Sequence, residues 1–275
     1  MNWLTFVFAV SLGAFAHATQ AQCPQLEGTL VQGGLVWGET IPGSSVMVGG
    51  EALDVLDDGT FFAGFGRDAA PSAELVIEGA QPCRQSLEVK SRKYNISRVE
   101  GVPQQTVTPS AEHLQRIKRE RALVGAAKGQ RGQRPDLVQG ALAGFEWPAT
   151  GRISGVYGSQ RIYNGMPKSP HYGVDVAVPT GTPVHAPTAG VITLAEPDLF
   201  YSGGTVILDH GYGLSSSFLH LSKVHVEVGQ EIRTGDLLGE VGATGRATGP
   251  HLDWRMSWRN QRVDPQLLVP PMPTE

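Results

Sequence analysis

His251 and Asp253 stand two residues apart in TGPHLDWR, His171 and Asp175 four apart in HYGVDVAVP, and His220 lies in FLHLS. All three segments are short and largely apolar, and those of His171 and His251 adjoin Gly or Pro, the pattern of strands. Side chains alternate faces along a strand, so even spacings put His251 with Asp253, and His171 with Asp175, on common faces. Imidazole and carboxylate groups in apolar surroundings are costly unless paired or metal-bound. A lone His in a strand is most often a satisfied core residue. Three such sites from separate strands raise the metal reading well above the structural one. In a hydrolase, zinc takes three His or carboxylate ligands and leaves a position for water. The ion lowers the pKa of that water and polarises a scissile carbonyl, while a nearby His moves the proton.

Further segments of the same kind position these groups. GRISGVYGSQR, TPVHAPTAGVITLAE, GGTVILDHGYGLSSSFLHLSKV and VEVGQEIRTGDLLGEVG are β-type runs separated by Gly-rich turns, with no helix of useful length after Trp147. Val224, Val226 and Val228 alternate with His225, Glu227 and Gly229 as an extended strand would. An antiparallel β domain is therefore expected over residues 147–270. Residues 22–100 also read as short strands, with a hairpin at Asp58-Gly59, and predict a small β-sandwich without a catalytic constellation. Residues 101–146 read as a basic linker with one helix, capped by Ser110 and broken at AAKGQRGQRP. From Arg84 to Arg134 there are 12 Lys/Arg against four Glu. That arm could meet an anionic envelope polymer, although a solvated linker helix is the plainer reading. The fold class expected is mainly β: sandwich, helical linker, antiparallel β domain.

The chain has 275 residues, 22 Lys+Arg against 26 Asp+Glu, 35 Gly and 19 Pro. The near-balanced charge gives no bulk electrostatic case for nucleic acid. Residues 1–21 read as a cleaved export signal, because the apolar run is too short for a spanning helix and small residues follow it, although no Lys or Arg precedes it. No other stretch suggests stable membrane insertion. Two cysteines, Cys23 and Cys83, suggest one disulfide in an oxidising compartment. Location is thus expected to be periplasmic or secreted. The oligomeric state is not legible.

Residues 147–265 resemble the lysostaphin-type (LytM-like) zinc endopeptidases, which cut peptide cross-links of peptidoglycan. The matching motifs are HYGVDVAVPTGTPVHAPTAGVI, VILDHGYG, FLHLSKV, VEVGQEIRTGDLLGEVGATGRATGPHLDWR and VDP. The resemblance implies one Zn2+, with His171 and Asp175 as ligands, and His220 and His251 as catalytic imidazoles. The family's second motif is His-x-His, with the second His as third ligand. Here that position is Asp253. Two carboxylates would neutralise a divalent ion, weaken it as a Lewis acid and admit other divalent metals. Asp is also shorter than His. The main expectation is a metal-dependent endopeptidase acting on peptidoglycan. The alternative is a weak or inactive wall-binding protein, or an activator of another hydrolase. His185 and His210 are read as structural, His225 as solvent-facing, and Asp209 and Asp264 as turn or hydrogen-bonding residues. Arg161 and Tyr163 are placed beside a substrate groove.

Overall fold

The computed structural model describes residues 22–100 and 110–273. The proposed export signal and the segment 101–109 lie outside those residues. The rest is mainly β, as expected, with antiparallel sheets and a helical stretch between them.

Residues 22–100 form two small sheets. One joins Glu27–Gly28, Leu35–Glu39 and Thr60–Gly64; the other joins Glu51–Leu53, Ser45–Val48, Ser72–Glu78 and Cys83–Glu88. Their alternating apolar residues, among them Leu35, Val46, Phe61, Leu75 and Ile77, share one core. Cys23 and Cys83 form the expected disulfide across it. The Asp58-Gly59 turn is real: Leu56 N–H donates to Thr60 O, and Asp58 Oδ1 accepts from Thr60 N–H. It does not make a hairpin, however. The segment before it pairs with Ser45–Val48 and the segment after it with Leu35–Glu39, so the chain crosses between sheets there. Turn chemistry fixes the reversal, but burial chooses the partner.

Ser110 caps the first helix, α1 (Ala111–Gly129), through Oγ and the His113 N–H. A second helix, α2 (Pro135–Ala143), follows with Pro at its first position, where no N–H is needed. It buries Leu137, Val138 and Ala141. The expected break at AAKGQRGQRP thus separates two helices. Helix α1 is also more than a solvated spacer. Val124 and Ala127 pack on Leu194, Leu199 and Ile207 of the large sheet.

That sheet runs in the order Glu231–Ile232, Gly190–Leu199, Gly203–Asp209, Leu214–Val224, Leu252–Trp258, Gly173–Ala177, Arg152–Gly155. Register sorts its faces. Val206, Phe218 and Trp254 are directly opposed, as are Ile207, Ser217 and Arg255. The first row belongs to the main core, continuous with that of residues 22–100. Phe62 meets Trp258 edge-on, and a Cβ at Gly64 would lie 3.1 Å from Trp258 Cβ. The second row faces α1. The run 225–230 is not the expected strand. It turns at Gly229, and Val228 is exposed. The strand ends at Val224, and the Val alternation there follows a turn, not a pleat.

Two further joints tie the halves together. Ile96–Val99 pairs in parallel with Gln160–Tyr163. Arg92 Nη1 reaches Asp264 Oδ2 at 2.7 Å, where the carboxylate is 1% exposed.

His210 has the structural place expected of it. Its Nδ1 proton goes to Ala189 O and its Nε2 accepts from Ser216 Oγ, both at 2.8 Å. Burial holds its pKa down at about 4 against an ordinary 6.5. The folded chain therefore refuses a proton that the unfolded chain accepts. Stability is full above pH 6.5 and falls as pH drops towards 4, by roughly 3 kcal/mol. Urea melts at pH 7 and pH 4.5 should differ by most of that, and His210→Gln should flatten the difference. An equal pH slope in both proteins would refute the assignment.

Candidate metal centre

The large sheet brings the five predicted residues to one spot on its α1-facing side. Asp175 and Asp253 are directly opposed across the strands Gly173–Ala177 and Leu252–Trp258. His171 precedes the first of these strands. Its Nε2 lies 3.2 Å from Asp175 Oδ1. His171, Asp175 and Asp253 each offer one ligand atom, all within 4.8 Å of one another.

The observation that bears on a metal is what these atoms lack. His171 Nε2 and Asp175 Oδ1 are both buried and without a hydrogen-bond partner among the described residues. Two such atoms facing each other would normally be costly. Zinc bonds of 2.0–2.2 Å in tetrahedral array put donor atoms about 3.3 Å apart, so their separation fits a shared ion. Glycines keep the space open. A Cβ at Gly155 would strike the Asp175 carboxylate, and one at Gly173 would stand 2.7 Å from Asp253 Oδ1. The donor set therefore fits a divalent cation.

The two remaining imidazoles flank this group. His220 Nδ1 is bonded to Thr244 O and His251 Nδ1 to Gly249 O, each at 2.8 Å. A carbonyl only accepts, so Nδ1 carries a proton in both rings, and in a neutral ring Nε2 is the atom left with a lone pair. The two Nε2 atoms lie 4.0 Å from Asp253 Oδ2 and 3.8 Å from Asp175 Oδ1, and the ring centres are 4.8 Å apart. Burial lowers the pKa of His220, which keeps it neutral. Its position is not one that strand alternation gives. Leu219 is the residue opposed to Asp253, so His220 should face away. A register shift opposite Gly204–Val206, and a left-handed backbone at His220 (φ 65°), turn it inward. Such strain concentrates at functional sites.

Arg255 is the residue that sequence reasoning missed. It lies two residues beyond Asp253, on the same face, and its Nε and Nη2 grip both carboxylate oxygens at 2.5–3.1 Å. Burial pushes the Asp253 carboxyl up, but the guanidinium outweighs it and leaves the group below the usual carboxylate value. The i, i+2 spacing in DWR was the available signal. Arg255 also alters the charge expected from sequence. Asp175, Asp253 and Arg255 together carry one negative charge, the same as one carboxylate with two neutral imidazoles. A carboxylate has lone pairs enough for both an arginine and an ion.

The other residues with expected roles have hydrogen-bond partners of their own. His185 Nδ1 bonds Gly235 O, and exposed His225 meets Glu240. Asp209 accepts from Gly132 and Gly211 N–H, closing turns. Arg161 and Tyr163 touch each other at 3.4 Å on the strand Gln160–Tyr163.

Residues 169–265 match the model of peptidase family M23. With that match, and with a solved relative aligned over nearly its whole length, the chain belongs to this metallopeptidase family. That relative is a Pseudomonas aeruginosa protein assigned to peptidase M23. It is 31% identical, covers 87% of this chain and 94% of its own, and superposes with a TM-score of 0.63. The chain is also 34% identical over 138 residues to the peptidoglycan DD-endopeptidase ShyA of Vibrio cholerae, which is 50% of this chain and 32% of ShyA. It is 40% identical over 103 residues to the DD-carboxypeptidase/endopeptidase Mpg of Neisseria meningitidis, which is 38% of this chain and 24% of Mpg. The chain thus spans a third or less of these two relatives.

Proposed function

We propose that this protein is a zinc-dependent endopeptidase that hydrolyses peptide cross-links of bacterial peptidoglycan in the periplasm or outside the cell. The observation that carries it is the pair of buried, unpartnered ligand atoms, His171 Nε2 and Asp175 Oδ1, beside a second carboxylate and two open imidazoles. His171, Asp175 and Asp253 would hold the ion. A divalent cation there supplies Lewis-acid polarisation of a peptide carbonyl and makes a water more acidic. The Nε2 atoms of His220 and His251 are placed to take the proton from the attacking water and return it to the departing amine. Asp253 and Asp175, 4.0 and 3.8 Å from them, stabilise the imidazolium that forms meanwhile. Substrate class rests on the relatives, two of which are named for peptidoglycan or DD-peptide cleavage. The two cysteines, paired in a disulfide, agree with an oxidising compartment. Among the described residues no helix is long and apolar enough to cross a membrane. Residues 147–270 are proposed as the peptidase domain, with 22–100 and 101–146 as its accessory parts.

The purified protein should hold about one zinc per chain and release soluble muropeptides from sacculi. A chelator should stop release and added zinc restore it. A protein that binds sacculi but takes up no ion, and releases nothing with zinc supplied, would instead be the wall-binding alternative.

A further inference from the structure

Helix α1 ends against the face that carries the candidate metal centre. Lys128, in its last turn, sends Nζ to Ser257 Oγ at 3.1 Å. Arg262 sends Nη1 to the same oxygen at 2.7 Å. Ser257 lies on the strand Leu252–Trp258, four residues past Asp253, so it shares the face of Asp253 and Arg255. Three cations therefore converge on one short stretch of sheet. Its one carboxylate, Asp253, is already held by Arg255. Lys128 and Arg262 have no ion-pair partner among the described residues. A hydroxyl oxygen that accepts from both neutralises neither.

Two further observations suggest that something is meant to complete this cluster. Burial, then the guanidiniums of Arg262 and Arg255, push the Lys128 ammonium well below its ordinary value, a cost that a bound anion would remove. Ser217, directly opposed to Arg255 in the register, has a buried hydroxyl with no hydrogen-bond partner, on the same face. Yet the cluster is not sealed. Lys128, Arg255 and Arg262 are each only half-buried, so solvent and solutes reach them.

We propose that Lys128, Arg262 and Arg255, with the hydroxyls of Ser257 and Ser217, form a carboxylate-binding subsite that anchors a free carboxylate of the peptide substrate beside the hydrolytic centre. This rests on the peptidase reading above. A carboxylate suits the cluster better than a neutral group, because paired N–H donors on cations match its two oxygens and supply charge-assisted bonds. A strand advances about 3.3 Å per residue, so Ser257 lies roughly 13 Å along the strand from Asp253. The anchored carboxylate therefore belongs a few residues from the bond that is cut. Helix α1 thereby becomes part of substrate recognition.

Binding to the full-length protein, with chelator present so that no turnover is needed, tests this apart from hydrolysis. Three blocked pentapeptides ending in D-alanyl-D-alanine serve as probes in calorimetry. One has a free terminal carboxylate and no other. The second is its terminal carboxamide. The third is the carboxamide with one side-chain carboxylate. At least one carboxylate peptide should bind ten-fold or more tightly than the uncharged one, and the arm that does so identifies which carboxylate is read. Lys128→Met and Arg262→Gln should each cut that preference to under three-fold while leaving the uncharged peptide's affinity unchanged. Equal affinity for all three peptides, no binding of any, or a preference that survives both substitutions would overturn the subsite. Failure to cleave sacculi, with the binding preference intact, would sink the peptidase reading and leave a carboxylate-binding site without its role in hydrolysis.

Discussion

Arg255→Met should cost the metal-free protein about 3–5 kcal/mol of unfolding free energy, the range for leaving one partner of a buried ion pair uncompensated. Asp253 is 3% exposed, whereas Arg255 keeps 32% of its side chain exposed. The penalty is therefore asymmetric. Asp253→Asn leaves a guanidinium that can turn to water and should cost clearly less. The double variant, with neither charge, should be more stable than Arg255→Met alone, which a double-mutant cycle resolves. The contribution of Asp253 to the pH dependence should change sign. In the parent protein the Asp253 carboxyl is held below its ordinary value, so its contribution is present above the unfolded pKa and lost as pH falls through the folded one. Without Arg255, burial is the largest remaining influence and raises the group, so acidification should narrow the stability gap between variant and parent. Zinc should rescue Arg255→Met by more than it stabilises the parent, since a cation can stand in for the guanidinium. Urea melts at three pH values, with and without zinc, would decide. A loss under 1 kcal/mol with no differential zinc effect would mean that the pair is idle.

His251→Ala and His220→Ala should each slow muropeptide release by 10²–10⁴-fold, the usual worth of a positioned general acid or base. Zinc content should remain near that of the parent in both, because neither Nε2 belongs to the three-ligand group. His171→Ala should lose ion and activity together. Inductively coupled plasma analysis beside a sacculus assay separates the cases. If His251→Ala loses its zinc, the ring is a ligand and the assigned division of roles is wrong. His220→Ala carries a second effect. The left-handed backbone at φ 65° remains, and a Cβ residue there stays strained. A His220→Gly variant should therefore melt higher than His220→Ala while remaining just as inactive.

Much of this was legible in advance for a simple reason. Polar groups inside apolar, Gly-bounded strands violate the pattern that buries them, and such violations mark sites. His171, Asp175, His251 and Asp253 were reachable through even spacings alone. His220 was not, because a bulge and a positive φ move it to the face that alternation denies it. Arg255 obeys the same two-residue period as Asp253, and attention to metal ligands simply passed over a cation. The Val224–Val228 run copied a strand's alternation without a strand to pair with. Long-range pairings were beyond reach. Nothing local to Ile96–Val99 says that it will lie parallel to Gln160–Tyr163, and nothing in a basic helix says that Val124 and Ala127 will find Ile207.

The core that runs unbroken from the first sheets into the large one has a practical consequence. Cutting the chain at residue 146 would strip the ring of Trp258 of its Phe62 neighbour, leave Gln160–Tyr163 an open edge, and strand the Asp264 carboxylate without Arg92. Sticky edges and orphaned charge are what make excised fragments precipitate. This chain is a poor donor of a portable catalytic cassette. Anyone wishing to fuse its peptidase half to another scaffold will have to carry the leading sheets along.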